Sequence, residues 1–120
     1  MNRPYFPTSI LDAALAERRL QNEQVRQRLL EATLAWLAAK AGEYGFESGY
    51  VFGSVTQAGK FAEDSDIDVA IDSMSQGEPF RMAGDLSLVL NREVDVVPLD
   101  RCHFADHVRQ LGVKWIATVI

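Results

Sequence analysis

Cysteine occurs once, as Cys102, so no disulfide can form within the chain, as is usual in a reducing compartment. No apolar run approaches the roughly 18 residues a membrane-spanning helix needs. The opening MNRPYFPTSILDAALAERR has acidic residues and prolines where a signal peptide would have an apolar block, so a cytoplasmic protein, with no membrane contact, is expected. Basic residues are also in short supply, 12 Lys and Arg against 17 Asp and Glu, for a net charge of -5. A nucleic-acid binder would show a basic patch and a high pI, so direct nucleic-acid binding is not expected. A nucleotide remains admissible, because a bound metal reverses the sign of a local field. Internal repeats and low-complexity tracts are missing as well. What is present suits one globular domain over residues 1–120: 48% of residues are hydrophobic and 24% charged, enough for a true core.

Along the chain, Pro4 and Pro7 disfavour an early helix, and Thr8-Ser9 offers a cap, with Asp12 completing an approximate capping box. Ile10, Leu11, Ala14 and Leu15 recur at helical spacing. A polar stretch from Arg18 to Arg28 follows, and periodicity returns with Val25, Leu29, Ala32 and Trp36 until Gly42 and Gly45 stop it. An unbroken helix over Ser9 to Ala41 would be ~50 Å long, against ~30 Å for the width of a small domain. Either the helix breaks near Asn22 or its first half stands out from the body as an arm. Tyr50-Val51-Phe52 is a short strand ending at Gly53-Ser54. Asp66 to Ile71 alternates acidic and apolar residues and predicts a second strand. Ser73 to Gly77 is a loop, and Pro79 opens a helix carrying Phe80, Ala83, Leu86 and Leu90, with Asn91 as its stop. Glu93 to Val97 is a third strand, His103 to Leu111 a last helix closed by Gly112, and Val113 to Ile120 a last strand or partner-facing tail. The order predicts a small α/β or α+β domain, with residues 1–45 a helical segment and 46–120 the core.

Chemistry concentrates between Gly53 and Ile71. In a strand, residues i and i+2 point to one face, so Asp66 and Asp68 would project together, ~7 Å apart along the strand. Asp95, on the third strand, can face the same place. Three like charges repel unless a cation lies among them, and magnesium accepts a few carboxylates together with substrate phosphates. Two such ions can activate an attacking oxygen and stabilise a departing pyrophosphate. Gly53 lets the backbone approach a phosphate, and Ser54 adds a hydroxyl donor. Lys60, in the next loop, is a weaker candidate for a phosphate contact.

The pattern of GS, loop, DxD and a later VDVV strand resembles the nucleotidyltransferase superfamily of the DNA polymerase β type. At this length it is similar to the minimal nucleotidyltransferase (MNT) group, whose members are commonly antitoxins paired with a HEPN-domain RNase toxin. The resemblance rests on Tyr50 to Leu99. It implies a small mixed sheet of three or four strands flanked by helices, with Gly53 and Ser54 as nucleotide-binding residues and Asp66, Asp68 and Asp95 as catalytic metal ligands. It further implies Mg²⁺, two ions, ATP as substrate, and transfer of AMP to a tyrosine hydroxyl of the toxin, with which the chain would form a hetero-oligomer. Two departures stand out. The loop Val55 to Ser65 is one residue longer than the common pattern, and Val55-Thr56-Gln57-Ala58 lacks its basic residue, with Gly59 one place late. The alternative is therefore an antitoxin that is catalytically weak and neutralises the toxin by binding and occlusion. Transfer to a small molecule or RNA, as in larger relatives, fits less well: those relatives usually use extra domains to hold the acceptor, 120 residues leave little room for one, and the net charge of -5 counts against RNA.

Plainer readings hold for the remaining polar residues. Glu93 is a solvated strand end, and Asp72 and Asp100 are turn residues. His103 and His107 stand four apart without a third zinc ligand nearby. Cys102, Trp36 and Trp115 are packing residues.

Overall fold

The computed structural model describes residues 8–72 and 77–118. The chain begins as one helix, α1 (Thr8–Lys40), without a break at Asn22. Its start takes in both Thr8 and Ser9, so Ser9 is a helical residue rather than the expected cap; Pro4 and Pro7 lie outside the described residues. At 33 residues, α1 is about 50 Å long at 1.5 Å per residue, and every residue from Ser9 to Gln21 is exposed. Of the two geometries open to the sequence, the structure adopts the projecting arm, and the molecule measures 71 × 28 × 20 Å. Only the second half of α1 packs. Arg26, Thr33 and Leu37 are buried, at separations that keep them on one stripe, which buried Ala41 continues just past the helix end. A single 3₁₀ turn, Ala41–Tyr44, then ends at Gly45, whose left-handed backbone (φ 91°) donates N–H bonds to Ala41 and Gly42.

Four strands follow, β1 (Ser48–Phe52), β2 (Ile67–Ile71), β3 (Val94–Pro98) and β4 (Val113–Ile116), in the spatial order β3-β2-β1-β4. β1 is antiparallel to β2 and β4, while β2 and β3 are parallel. A parallel pair needs a crossover, which α2 (Pro79–Leu90) supplies. Pro79 sits in its first turn, and Asn91 (φ 51°) closes it in the left-handed conformation. The expected loop from Ser73 lies outside the described residues up to Gln76. The last helix is shorter than expected. α3 (Ala105–Leu111) leaves His103 in the preceding turn, so the two histidines do not share a helix. The tail resolves into β4, with Val119 and Ile120 outside the described residues.

Strand alternation divides the core in two. Val51, Ile67, Val69, Ile71, Val94 and Trp115 point to α1 and α2, where they meet Leu37, Met82 and Leu86. Complete burial of a large aliphatic side chain contributes about 1.5–3 kcal/mol, so this layer carries most of the stability. The other face is thinner: Ala70, Tyr50, Phe52 and Val97 pack under α3 against Leu99, Val108 and Ala105. Gly49 is required within β1, since a Cβ there would lie 1.9 Å from the Ala70 carbonyl oxygen. Among the described residues no helix is long and apolar enough to cross a membrane.

Candidate active site

The register of the sheet sets a row of side chains across it. Phe52 on β1 pairs with Asp68 on β2, and Asp68 pairs with Asp95 on β3. All three share the face that carries α3, because Val51, Val69, Val94 and Val96 occupy the opposite one. Asp66 lies one residue before β2, outside the strand to which alternation assigned it, and is half-buried. Asp68 is the most constrained of the three carboxylates. Burial, then the charge of Asp95, then that of Asp66 push its pKa from 3.8 up to about 6.

Gly53 follows Phe52 with φ 79° and ψ -158°, backbone that only glycine adopts without strain. A Cβ here would fall 2.3 Å from Asp68 Oδ2, so the missing side chain leaves the space the carboxylate occupies. The chain then turns through a 3₁₀ segment, Ser54–Thr56. Thr56 donates to the Gly53 carbonyl through both its N–H (3.1 Å) and its hydroxyl (2.7 Å), and the Gln57 N–H bonds Ser54 O at 3.0 Å. The turn is therefore closed on itself immediately beside the acidic row. Lys60 stands exposed in the turn beyond.

Two arginines that the sequence reading passed over hold the segment between the glycine turn and Asp66. Arg26 reaches from the buried stripe of α1 and donates Nη1 to Val55 O at 3.1 Å. Its remaining donors grip Glu23, with Nη2 to Oε2 at 2.9 Å, and Glu23 Oε1 accepts the Gly59 N–H at 2.7 Å. These two bonds hold the Glu23 carboxyl below its ordinary pKa. At the other end, Arg92 donates Nη1 to the carbonyls of Ala62, Glu63 and Ser65 at 3.1, 3.1 and 2.9 Å and lies over the Phe61 ring. The available signal for Arg26 was its spacing, seven residues before Thr33 and eleven before Leu37 on the stripe that becomes buried. For Arg92 there was none beyond its place after a helix stop. Glu93 is exposed at the strand entry, as read from sequence. Asp72 accepts the Ser48 hydroxyl across β1 and β2.

Among the described residues, no three His, Cys, Asp or Glu side chains are drawn together as a ready metal cage. The donor set nevertheless suits a hard divalent cation: three carboxylates and no softer ligand, one of them disfavoured as an anion until positive charge is added. Beside the row, a recess of about 380 Å³ is lined by Asp68, Asp95, Phe52, Phe80, Ala83 and Phe104. A second, of about 280 Å³, opens on the Gly53 side of Phe52.

Residues 43–114 match the family model described as Polymerase beta, Nucleotidyltransferase. That span holds the glycine turn, all three aspartates and Arg92, and leaves Glu23 and Arg26 outside. Neither curated proteins nor solved structures gave a match.

Proposed function

The chain belongs to the polymerase β-type nucleotidyltransferase family, and on that footing we propose that it is a minimal nucleotidyltransferase antitoxin moving AMP from ATP to a tyrosine of a HEPN-domain RNase toxin. Nucleotidyl transfer, with a nucleoside triphosphate and a divalent metal, is the general property of the family. The transferase reading is supported by one observation above others: Phe52, Asp68 and Asp95 lie in register, and a Cβ on Gly53 would fall 2.3 Å from Asp68 Oδ2. The exposed arm of α1 adds a surface through which a protein acceptor can be held.

The roles follow from position. Gly53 and Ser54 receive the phosphates, glycine by yielding space and serine by its hydroxyl and N–H. Asp66, Asp68 and Asp95 would hold Mg²⁺, which when bound supplies positive charge to the phosphates and the departing pyrophosphate. Asp95, the exposed end of the acidic row, takes the proton of the attacking hydroxyl. The acceptor oxygen bonds to the α-phosphorus, the bond from that phosphorus to the β-phosphate oxygen breaks, and pyrophosphate leaves. Arg26 and Arg92 keep the intervening loop in one conformation, so less ordering is left for the moment of binding.

Incubation with α-labelled ATP, Mg²⁺ and a HEPN-domain partner should label the partner. Asp68→Asn should lower labelling about 100-fold or more, as loss of a group needed for the chemistry does. An unlabelled partner that is nonetheless neutralised by the wild type would remove the transferase reading. The second reading, neutralisation by occlusion, is favoured by the absence of a basic side chain at Val55 to Ala58. It requires that Asp66→Asn with Asp68→Asn still neutralise the toxin.

A further inference from the structure

β3 closes one side of the sheet, with β2 its neighbour among the described residues. The Ile67 N–H bonds Glu93 O at 2.9 Å, and Val94 stands opposite Ile67 in the parallel register. Backbone groups alternate in direction along a strand. Asp95 and Val97 therefore turn theirs to β2, and Val94 and Val96 turn theirs outward. Among the described residues no backbone group bonds them there. Pro98 holds the next outward place, where its lack of an N–H costs the sheet nothing. The outer edge thus offers two N–H groups and two carbonyls, a template for another strand.

The recess that holds Asp68 and Asp95 runs along this edge. Its lining takes in Val94, Asp95, Val96 and Val97 in succession. Val94 and Val96 belong to the α2 face and Val97 to the α3 face, so a space touching all four lies beside the strand. Phe52 and Phe104, 6.0 Å apart between ring centroids, bound it on the α3 side, and Phe80 and Ala83 bound it on the α2 side. Phe80 is 88% exposed, while Met82 and Leu86 of the same helix are fully buried.

We propose that the outer edge of β3 receives an extended segment of the acceptor protein as an added strand, which sets a tyrosine hydroxyl beside Asp95. This rests on the protein-acceptor reading above and adds how the acceptor is held. The row Phe52, Asp68, Asp95 advances one strand at a time across the sheet. An added strand supplies its next place, about 4.8 Å outward from Asp95. The hydroxyl then arrives on the side of Asp95 away from Asp68 and the glycine turn. The residues flanking the tyrosine point to the opposite face, toward Phe80, Ala83 and Val96, and an apolar side chain suits that place. Main-chain bonds hold such a segment and the alternate pockets select it. A second copy of this chain is a poorer occupant, because pairing two β3 edges brings both acidic rows together on chains of net charge -5.

Amide hydrogen exchange by NMR, on the full chain with and without the HEPN-domain partner, tests this. The Val94 and Val96 amides should exchange at least tenfold more slowly in the complex. Val96→Pro removes an outward N–H and no bond to β2, so partner labelling should fall about tenfold or more while ATP titration is unchanged. Phe80→Ala, at an exposed position, should raise the KM for the partner several-fold and spare kcat, as loss of uniform binding does. Should Val96→Pro fail to fold, read by circular dichroism, the wild-type exchange and Phe80→Ala decide. Exchange that the partner leaves unaltered would overturn the added strand, and labelling that proceeds regardless would leave the transfer reading standing. Slowed exchange with no label in the partner would keep the strand and overturn the transfer. Exchange already slow in the protein alone, and faster on dilution, would give the edge to a second copy and overturn the proposal.

Discussion

Asp68 carries opposing demands. Its strand position buries it, and two neighbouring carboxylates repel its charge, so its pKa rises from 3.8 to about 6. Between these values the folded state holds more protons than the unfolded one, which makes the slope of unfolding free energy with pH negative. This residue therefore destabilises the fold progressively as pH climbs from about 4 to about 6, and the penalty stays constant above that. Thermal melts with EDTA across this window should show a decline for wild type that is absent from Asp68→Asn, which should melt a few degrees higher at neutral pH. Added Mg²⁺ should raise the wild-type midpoint near pH 7.5 and have little effect near pH 4. An Mg²⁺ response identical in Asp68→Asn would disconnect this carboxylate from the ion.

At the scale of elements, α1 does more than cover the sheet. Its second half supplies the Arg26–Val55 and Glu23–Gly59 bonds, so a helix outside the family match shapes the loop that follows the glycine turn. Arg26 is almost fully buried, and hydrogen bonds to charged groups of this kind are worth about 1.5–3 kcal/mol. Arg26→Ala should cost stability of that order and raise the KM for ATP several-fold, with kcat changing much less, because the aspartates are untouched. Arg26→Lys should recover only part of the KM, as a single ammonium cannot serve Val55 and bracket Glu23 at once. Equal losses in kcat and KM terms, or none beyond the stability change, would limit Arg26 to packing.

Taken whole, the molecule is a sheet domain with a helical arm. Residues 9–21 are all exposed, among them Ile10 at 69%, Leu11 at 58% and Leu20 at 61%. Apolar groups left exposed along an arm that packs on nothing suit an interaction surface better than a folding role. Removing residues 1–21 should thus shift the melting midpoint by no more than a few degrees and leave ATP titration unchanged, while the labelling of a protein partner falls sharply. A truncated chain that no longer folds, read by circular dichroism, would show the arm to be structural; unchanged labelling would place the partner elsewhere.

Much of this was legible in the residues themselves because the determinants are local. Alternation with period two put Asp68 on the opposite face from Ile67 and Val69. Gly45 and Asn91 marked ends that need left-handed backbone, Pro79 a helix start where no N–H is needed, and Gly112 an end where a Cβ would meet the Val108 carbonyl oxygen. Asp66 slipped out of its strand because edges of elements are set by pairing partners, here the Glu93 carbonyl that accepts from Ile67. The path of α1 beyond Asn22, the grip of Arg26 on a carbonyl 29 residues away and the two recesses flanking Phe52 and Phe104 were decided only by the tertiary structure. Each depends on what the folded chain brings alongside. Periodicity along a sequence carries information about faces, and none about which distant backbone a long side chain will meet.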